Sequence, residues 1–294
     1  MTKKLLKKGH TVKVIDNFST GRQENLTESL GRKKLKFYNE DITNFTVLGE
    51  LMEGIDYVFH QAAIPSVPRS IERPMDVAKT NILGTLNVLL SARDNEVDKV
   101  VYASSSSVYG PSEELPKEED MPVNPISPYA LTKYTGERYT QLFSEIYGLP
   151  TVCLRYFNVF GPRQDPDSQY SAVIPKFISE MSDRNRPPIY GDGEQSRDFT
   201  FVENVIHANI LAAESDVSGE AINIACGDRI TVNSLVNYLN RFLGASLEPK
   251  HLDPREGDVR HSKADISKAR KLLGYEPKVG FKEGLRRTVE WYAN

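Results

Sequence analysis

The sequence predicts an α/β fold, a doubly wound parallel sheet followed by a smaller C-terminal α/β lobe, and three observations carry that expectation. Short β-prone runs alternate with stretches of helical period along the first half of the 294 residues. One of those runs, Asp98 to Ala103, breaks into Ser104-Ser105-Ser106-Ser107-Val108-Tyr109-Gly110-Pro111, so a buried strand ends in hydroxyls. Ser127-Pro128 then joins a preferred helix cap to a preferred first helical residue, so a helix begins there. Ligands of open α/β sheets bind beyond the carboxyl ends of the strands, which makes the serine run a candidate site.

Taken in order, residues 2–8 read as the last turns of a helix, with Gly9 as its stop. Thr11 to Asp16 is a short strand ending in an acid, followed by a loop from Asn17 to Arg22. Leu35 to Tyr38 is the next strand and closes on Glu40-Asp41-Ile42; Ile55 to His60 follows and ends in Gln61-Ala62-Ala63, where small side chains admit a close ligand. Ser66-Val67-Pro68-Arg69-Ser70 is expected as a loop. From Pro74 to Arg93 the spacing of Val77, Ile82, Leu86, Leu89 and Leu90 predicts one long amphipathic helix. A strand from Leu149 to Tyr156 comes after the Ser127 helix, then Asn158 and a shift toward Pro, Asp and Gln at 162–170. Ala172-Val173 opens a further helix, Ile189 to Phe201 reads as strand, glycine turn and strand, and Ile266–Leu273 and Phe281–Tyr292 are amphipathic helices.

Tyr129 falls in the first turn of the Ser127 helix, four residues before Lys133, so the two share a helix face. A phenol ordinarily ionises near pH 10, but a neighbouring ammonium and the positive end of a helix dipole both favour the phenolate, which makes Tyr129 a credible general base. With 14 Tyr and 37 Lys+Arg in the chain, chance supplies about two such spacings, and Tyr134…Arg138 is one. The spacing alone is therefore weak; a serine-ended strand, a Ser-Pro cap and the Tyr129–Lys133 pair together are not.

A formal charge of −3 and a pI near 6.0 give no basic field for nucleic acid or an anionic membrane. Cys153 and Cys226 lie in apolar, strand-like runs, which suits buried thiols in a reducing compartment better than a disulfide framework. The basic N-terminus lacks the apolar core of a signal peptide and no run is long enough to span a bilayer, so the cytoplasm is the expected location. No metal site is expected.

Tyr-Ala-Ser-Ser-Ser-Ser-Val-Tyr-Gly at 102–110, Ser-Pro-Tyr-Ala-Leu-Thr-Lys at 127–133 and Leu-Arg-Tyr-Phe-Asn-Val-Phe-Gly-Pro-Arg-Gln at 154–164 resemble the extended short-chain dehydrogenases/reductases, specifically nucleotide-sugar 4-epimerases. The resemblance implies a Rossmann-like NAD-binding domain over residues 1–160, with a returning segment at about 197–225, and a UDP-sugar lobe over 161–196 and 226–294. It implies catalysis by Ser105, Tyr129 and Lys133. It places NAD against Asp16, Asn17, Asp41, Ile42, Gln61, Ala62, Ala63, Asn81, Tyr129, Lys133 and Tyr156. An acid at Asp16 would take the adenosine ribose hydroxyls and repel a 2′-phosphate, favouring NAD over NADP. Asn81 would brace the site by bonding backbone groups. The UDP-sugar would meet Ser66, Ser106, Asn158, Ala172, Val173, Arg197, Arg255, Asp258 and Ser262, with Arg197 and Arg255 suited to its diphosphate.

The implied reaction inverts C4 of a UDP-hexose through a 4-keto sugar: Tyr129, tuned by Lys133, takes the hydroxyl proton while hydride moves to NAD and back. Ser262 stands where relatives restricted to UDP-glucose and UDP-galactose carry a bulky tyrosine, so UDP-N-acetylglucosamine and UDP-N-acetylgalactosamine are expected, with the non-acetylated pair alongside. Dehydratase relatives place Thr-Asp-Glu where Ser105-Ser106-Ser107 stand, which disfavours elimination here. UDP-glucuronate 4-epimerases share the serine run but show Thr-Val-Tyr-Gly in place of Asn158-Val159-Phe160-Gly161, and are the alternative. A homodimer through the 74–93 and 127–147 helices is expected. The strand and glycine-rich turn that open such a fold would precede residue 1, so upstream codons are expected to encode them; with a genuine start at Met1, a non-catalytic nucleotide-sugar binder becomes the alternative of another class.

Overall fold

The computed structural model describes residues 1–165, 173–254 and 259–293, which form two compact units. The first comprises 1–104, 127–153 and 216–220. Helix α1 (Thr2–Lys7) ends at Gly9, whose φ of 91° suits a residue without a Cβ. Strand β1 (Val12–Ile15) pairs in parallel with β2 (Leu35–Tyr38), Val12 opposite Leu35. Helix α2 (Phe45–Met52) and strand β3 (Tyr57–His60) follow.

One expectation fails next, and another gains a local feature. Residues 66–70 are not a loop: α3 (Val67–Glu72) starts there because Ser66 Oγ accepts the Arg69 N–H and Pro68 occupies the first turn. The single helix expected over 74–93 is α4 (Pro74–Ala78), a π-helical turn over Lys79–Leu83, and α5 (Gly84–Asp94). Such turns disturb an otherwise α-helical ladder and gather at functional sites.

Strand β4 (Lys99–Ser105) runs parallel to β3, with Tyr57 opposite Lys99. Ser127 Oγ accepts the Ala130 N–H at 3.1 Å and so caps α6 (Pro128–Tyr147), which Gly148 ends at a φ of 69°. Strand β5 (Thr151–Tyr156) comes next. Helices α2 and α5 bury Leu48, Met52, Val88 and Leu89 against Val100 of β4.

The second unit comprises 105–126, 154–215 and 221–294. Its elements are β6 (Val159–Phe160), α7 (Val173–Ser182), β7 (Pro188–Tyr190), β8 (Ser196–Arg197), β9 (Thr200–Phe201), α8 (Val202–Glu214), β10 (Glu220–Ile224), β11 (Ile230–Thr231), α9 (Val232–Leu243), β12 (Lys250–Leu252), α10 (Ser267–Leu273) and α11 (Phe281–Tyr292). The 189–201 span thus holds three short strands rather than two. Their pairs are small: β6 beside β9, β7 beside β12, and β8 antiparallel to β11. Phe160, Phe177, Phe199, Phe201, Leu235 and Leu285 fill the core, Phe160 meeting Phe199 edge-on.

The strands pair as β2-β1 and as β10-β5-β4-β3, a doubly wound α/β arrangement. In the usual order a first strand lies between those two sets; it is not among these residues. Cys153 and Cys226 form no disulfide, and Cys226 lies just past β10 rather than within a strand. Among the described residues no helix is long and apolar enough to cross a membrane.

Candidate active site

In the first unit, α6 carries Tyr129 and Lys133. Ser127 satisfies one exposed N–H at the helix start, and Ser70 satisfies another: its Oγ accepts the Tyr129 N–H at 3.0 Å and donates to the Val67 carbonyl. Lys133 is buried, donates from Nζ to the Ala103 carbonyl at 2.8 Å and lies 5.2 Å from the Tyr102 ring centroid. One turn on, the buried Glu137 carboxylate accepts the Ser104 hydroxyl at 2.7 Å. Gly136 permits this docking, since a Cβ there would sit 2.3 Å from the Tyr102 oxygen. Burial pulls the Lys133 ammonium down to about 8, and burial drives the Tyr102 phenol well above its usual value.

His60 closes the other side of Tyr102, ring centroids 5.5 Å apart. Its Nε2 is 2.8 Å from Thr85 Oγ1, whose own proton goes to the Asn81 carbonyl at 2.7 Å. The histidine must therefore carry its hydrogen on Nε2. Burial and the Lys133 charge hold it down at about 3, neutral across the working range. Asn81, inside the π turn, bonds the Ile64 backbone from both ends of its amide and donates to Thr132 Oγ1 at 3.0 Å. Thr132 in turn donates to the Tyr129 carbonyl.

Asp16 and Asp41 stand just beyond β1 and β2. Asp16 accepts the Phe18 N–H at 2.8 Å, with Gly21 so close that a Cβ would lie 3.1 Å from its carboxylate. Asn17 donates to Asp41 at 2.7 Å. Burial works to raise the Asp41 carboxyl, but hydrogen bonds from Thr43 and Asn17 and the Lys79 charge leave it below its usual value. Ile42 is buried against Gly84, and Gln61, Ala62 and Ala63 follow β3. The donor set fits the adenosine end of a dinucleotide: an acid at a strand end, a glycine admitting close approach, small residues following the next strand. A glycine-rich pyrophosphate turn is not among these residues.

In the second unit, Ser105 Oγ accepts from Ser107 N at 3.2 Å and Ser107 Oγ at 2.9 Å, opening a short turn through Ser106 to Tyr109. Asn158, at a φ of 35°, donates to the Asp198 carbonyl, and its own carbonyl accepts from Thr200. The Tyr156 hydroxyl is held by Asn209. Arg197 donates to the Ser196 and Arg260 carbonyls. Ser262 N donates to the Ser196 carbonyl at 3.0 Å, and Ser196 Oγ is 2.8 Å from His261 Nδ1. Burial and the charges of Arg229, Arg260 and Arg197 lower the His261 imidazole, marking a cationic corner in which Arg229 and Arg260 join the Arg197 that the sequence singles out. Ser66 Oγ serves as a helix cap, and Val173 begins α7. Ala172, Arg255 and Asp258 lie outside the described residues. Sequence reading also passed over Ser70, Thr85, Glu137 and His60, whose roles depend on partners 25 to 59 residues away. Among the described residues no cluster of His, Cys, Asp and Glu could hold a metal ion.

The sequence profile of the NAD dependent epimerase/dehydratase family matches residues 1–225. A putative UDP-glucose 4-epimerase of Methanocaldococcus jannaschii is 39% identical over 99% of this chain and 93% of its own length. Two solved structures are also similar. The UDP-N-acetylglucosamine 4-epimerase of Methanobrevibacter ruminantium, in complex with UDP-N-acetylmuramic acid, superposes with a TM-score of 0.93 at 44% identity, covering 96% of this chain and 90% of that one. The UDP-glucose 4-epimerase of Thermotoga maritima, with UDP-glucose, gives 0.94 at 39% identity over 99% and 94%.

Proposed function

The chain belongs to the NAD-dependent epimerase/dehydratase family as a UDP-sugar 4-epimerase, and on that premise we propose that its sugars are UDP-N-acetylglucosamine and UDP-N-acetylgalactosamine. The observation that carries the choice is Ser262: a small side chain on a segment tied to Ser196 by its backbone. The reacting sugar must turn over within its pocket, and a serine leaves room for a C2 acetamido group in both orientations. A small residue permits a substrate without selecting it, so the non-acetylated pair is turned over alongside.

Tyr129 takes the C4 hydroxyl proton and returns it, and Lys133 is the cation that favours its phenolate. Ser105 hydrogen-bonds the reacting oxygen, with Ser106 beside it. NAD, when bound, supplies the hydride acceptor at C4. Asp16, Asn17, Asp41, Ile42, Gln61–Ala63, Asn81 and Tyr156 hold that cofactor, and Ser66, Asn158, Val173 and Arg197 hold the UDP-sugar; residues 1–160, with a returning segment at about 197–225, make the NAD-binding domain, and 161–196 with 226–294 the UDP-sugar lobe. Two copies of the chain pair through the 74–93 and 127–147 helices.

Incubation with UDP-N-acetylglucosamine, UDP-glucose and UDP-glucuronate, followed by NMR of the C4 epimer, tests the choice. N-acetyl turnover that Ser262→Tyr abolishes, with UDP-glucose turnover retained, supports it. Turnover of UDP-glucose or UDP-glucuronate alone, or N-acetyl turnover indifferent to Ser262→Tyr, refutes it.

A further inference from the structure

A buried polar node lies between the two sugar-facing segments of the second unit. Tyr109 ends the turn that Ser105 opens. Its hydroxyl donates to Asn223 Oδ1 at 2.7 Å and accepts from Arg155 Nη1 at 2.8 Å, while the Arg155 guanidinium lies 4.8 Å from the Tyr109 ring centroid. Tyr109, Arg155 and Asn223 are 2%, 4% and 0% exposed. Burial pushes the Tyr109 phenol up to about 12, so it stays protonated and the direction of each bond is fixed.

From this node the bonds divide. Asn223 Nδ2 donates to the carbonyls of Lys117 (2.9 Å) and Asp265 (3.3 Å), and Asn223 N donates to Glu119 Oε1 at 2.8 Å. Arg155 Nη1 also reaches the Glu119 carbonyl. The 117–119 strap is in turn stitched to 263–265: Lys117 N donates to the Lys263 carbonyl at 2.7 Å, and Asp265 N to the Lys117 carbonyl at 2.9 Å. One end of the network is thus the turn bearing Ser105 and Ser106, and the other is the segment bearing Ser262.

We propose that Tyr109, Arg155, Asn223 and Glu119 are positioning residues for the epimerisation, fixing the Ser105 turn and the Ser262 segment relative to each other through the 117–119 strap. The inference rests on the functional reading above, which gives both segments to the sugar. None of the four need touch substrate. Buried polar groups of this kind carry weight because any bond removed leaves a partner unsatisfied in a low-dielectric interior. None of the four is a residue assigned to the diphosphate, so loosening the network should disturb the chemistry more than nucleotide binding.

The test compares kcat, KM for both UDP-sugars, UDP affinity and folded fraction by circular dichroism in wild type, Tyr109→Phe, Glu119→Ala and Glu119→Gln. Tyr109→Phe keeps the ring and loses two bonds; Glu119→Ala cuts the strap arm at a half-buried site; Glu119→Gln keeps the oxygen that Asn223 needs. Expected are kcat losses of about tenfold or more in the first two, UDP affinity within about twofold, a changed ratio of N-acetylated to non-acetylated turnover, and near wild-type behaviour for Glu119→Gln. Should Tyr109→Phe fail to fold, the two Glu119 variants decide. Wild-type kcat and sugar ratio in folded variants, losses confined to KM, losses that merely track unfolded protein, or no rescue by Glu119→Gln overturn the proposal. Ser105→Ala is the control. If it leaves turnover intact, the serine assignment has failed and the sugar ratio judges the node. If wild type epimerises no UDP-sugar, the functional reading fails first and the node falls with it.

Discussion

Lys133 donates a hydrogen bond from its ammonium to the carbonyl of Ala103, the residue two before Ser105, and so ties the N-terminal part of α6 to the carboxyl end of β4. The bond fixes the ammonium of a residue four after Tyr129, on the same helix face. Tyr129→Phe is expected to cut turnover by about 10²–10⁴-fold while leaving UDP affinity near wild type. The same buried ammonium sets two pH dependences. With Lys133 in the role proposed for it, turnover should fall as pH rises through about 8, where its ammonium loses the charge. Stability runs the other way. Lys133 is depressed from 10.5 in the fold, so the unfolded chain binds its proton more tightly between about 8 and 10.5, and stability should climb with pH across that window. Urea melts of wild type and Lys133→Met check this: the climb should vanish in the variant, and a climb that persists places its source elsewhere.

His60 gives the acid side. Its imidazole drops from 6.5 to about 3 on folding, through burial and the facing Lys133 charge; Tyr102 beside it stays neutral, and Thr85 contacts its Nε2. The unfolded chain therefore binds the extra proton first, and stability should be lost as pH falls from about 6.5 toward 3. His60→Gln keeps a donor for Thr85 and removes the titration. At pH 4 its acid loss should be smaller than wild type's by roughly 3 kcal/mol, at about 1.4 kcal/mol per pH unit. Parallel acid limbs for the two proteins in denaturant titrations would acquit His60.

Ser70 bonds the backbone N–H of Tyr129, an amide that the first turn of a helix leaves without an internal partner. Ser70→Ala should lower stability by about 1 kcal/mol and, with Tyr129 in its proposed role, kcat by a few-fold with UDP affinity unchanged, because Tyr129 moves while the proposed nucleotide contacts do not. Steady-state kinetics beside a UDP titration separate this from a purely structural effect, which would leave kcat per folded molecule intact.

The contrast between two serine caps shows what was legible in the sequence. Ser127-Pro128 announced α6 because a long helical pattern follows it. Ser66-Val67-Pro68 carries nearly the same chemistry, but the helix it opens has only six residues, too short for any periodicity. The π turn at Lys79–Leu83 was illegible for another reason: an altered turn leaves the apolar spacing of 74–93 nearly intact. What accompanies it is Asn81 bonding Ile64 and Thr132, 17 and 51 residues away. A cap ahead of a long helical pattern and the strand endings could be read; the buried polar bonds around Tyr129 and Lys133 needed the tertiary fold.

The exposed apolar side chains of α3, α4, the π turn and α6 bear on pairing of two copies. Ile71 is 65% exposed, Met75 79%, Leu83 45% and Leu131 52%, on helices packed against one another within the first unit. Large exposed apolar side chains that form one contiguous patch mark an interaction site, whereas scattered ones do not. If these helices pair with a second copy, Leu131→Glu places a charge in a closed apolar interface, and the two-fold symmetry of a dimer repeats that charge on the partner. Light scattering after size exclusion should then show wild type at twice the chain mass and Leu131→Glu at one. Leu131 is exposed in the single chain, so the variant should keep its far-ultraviolet spectrum, and loss of pairing cannot be confused with loss of fold. A monomeric wild type, or a Leu131→Glu variant that stays dimeric, would sink this face as the interface.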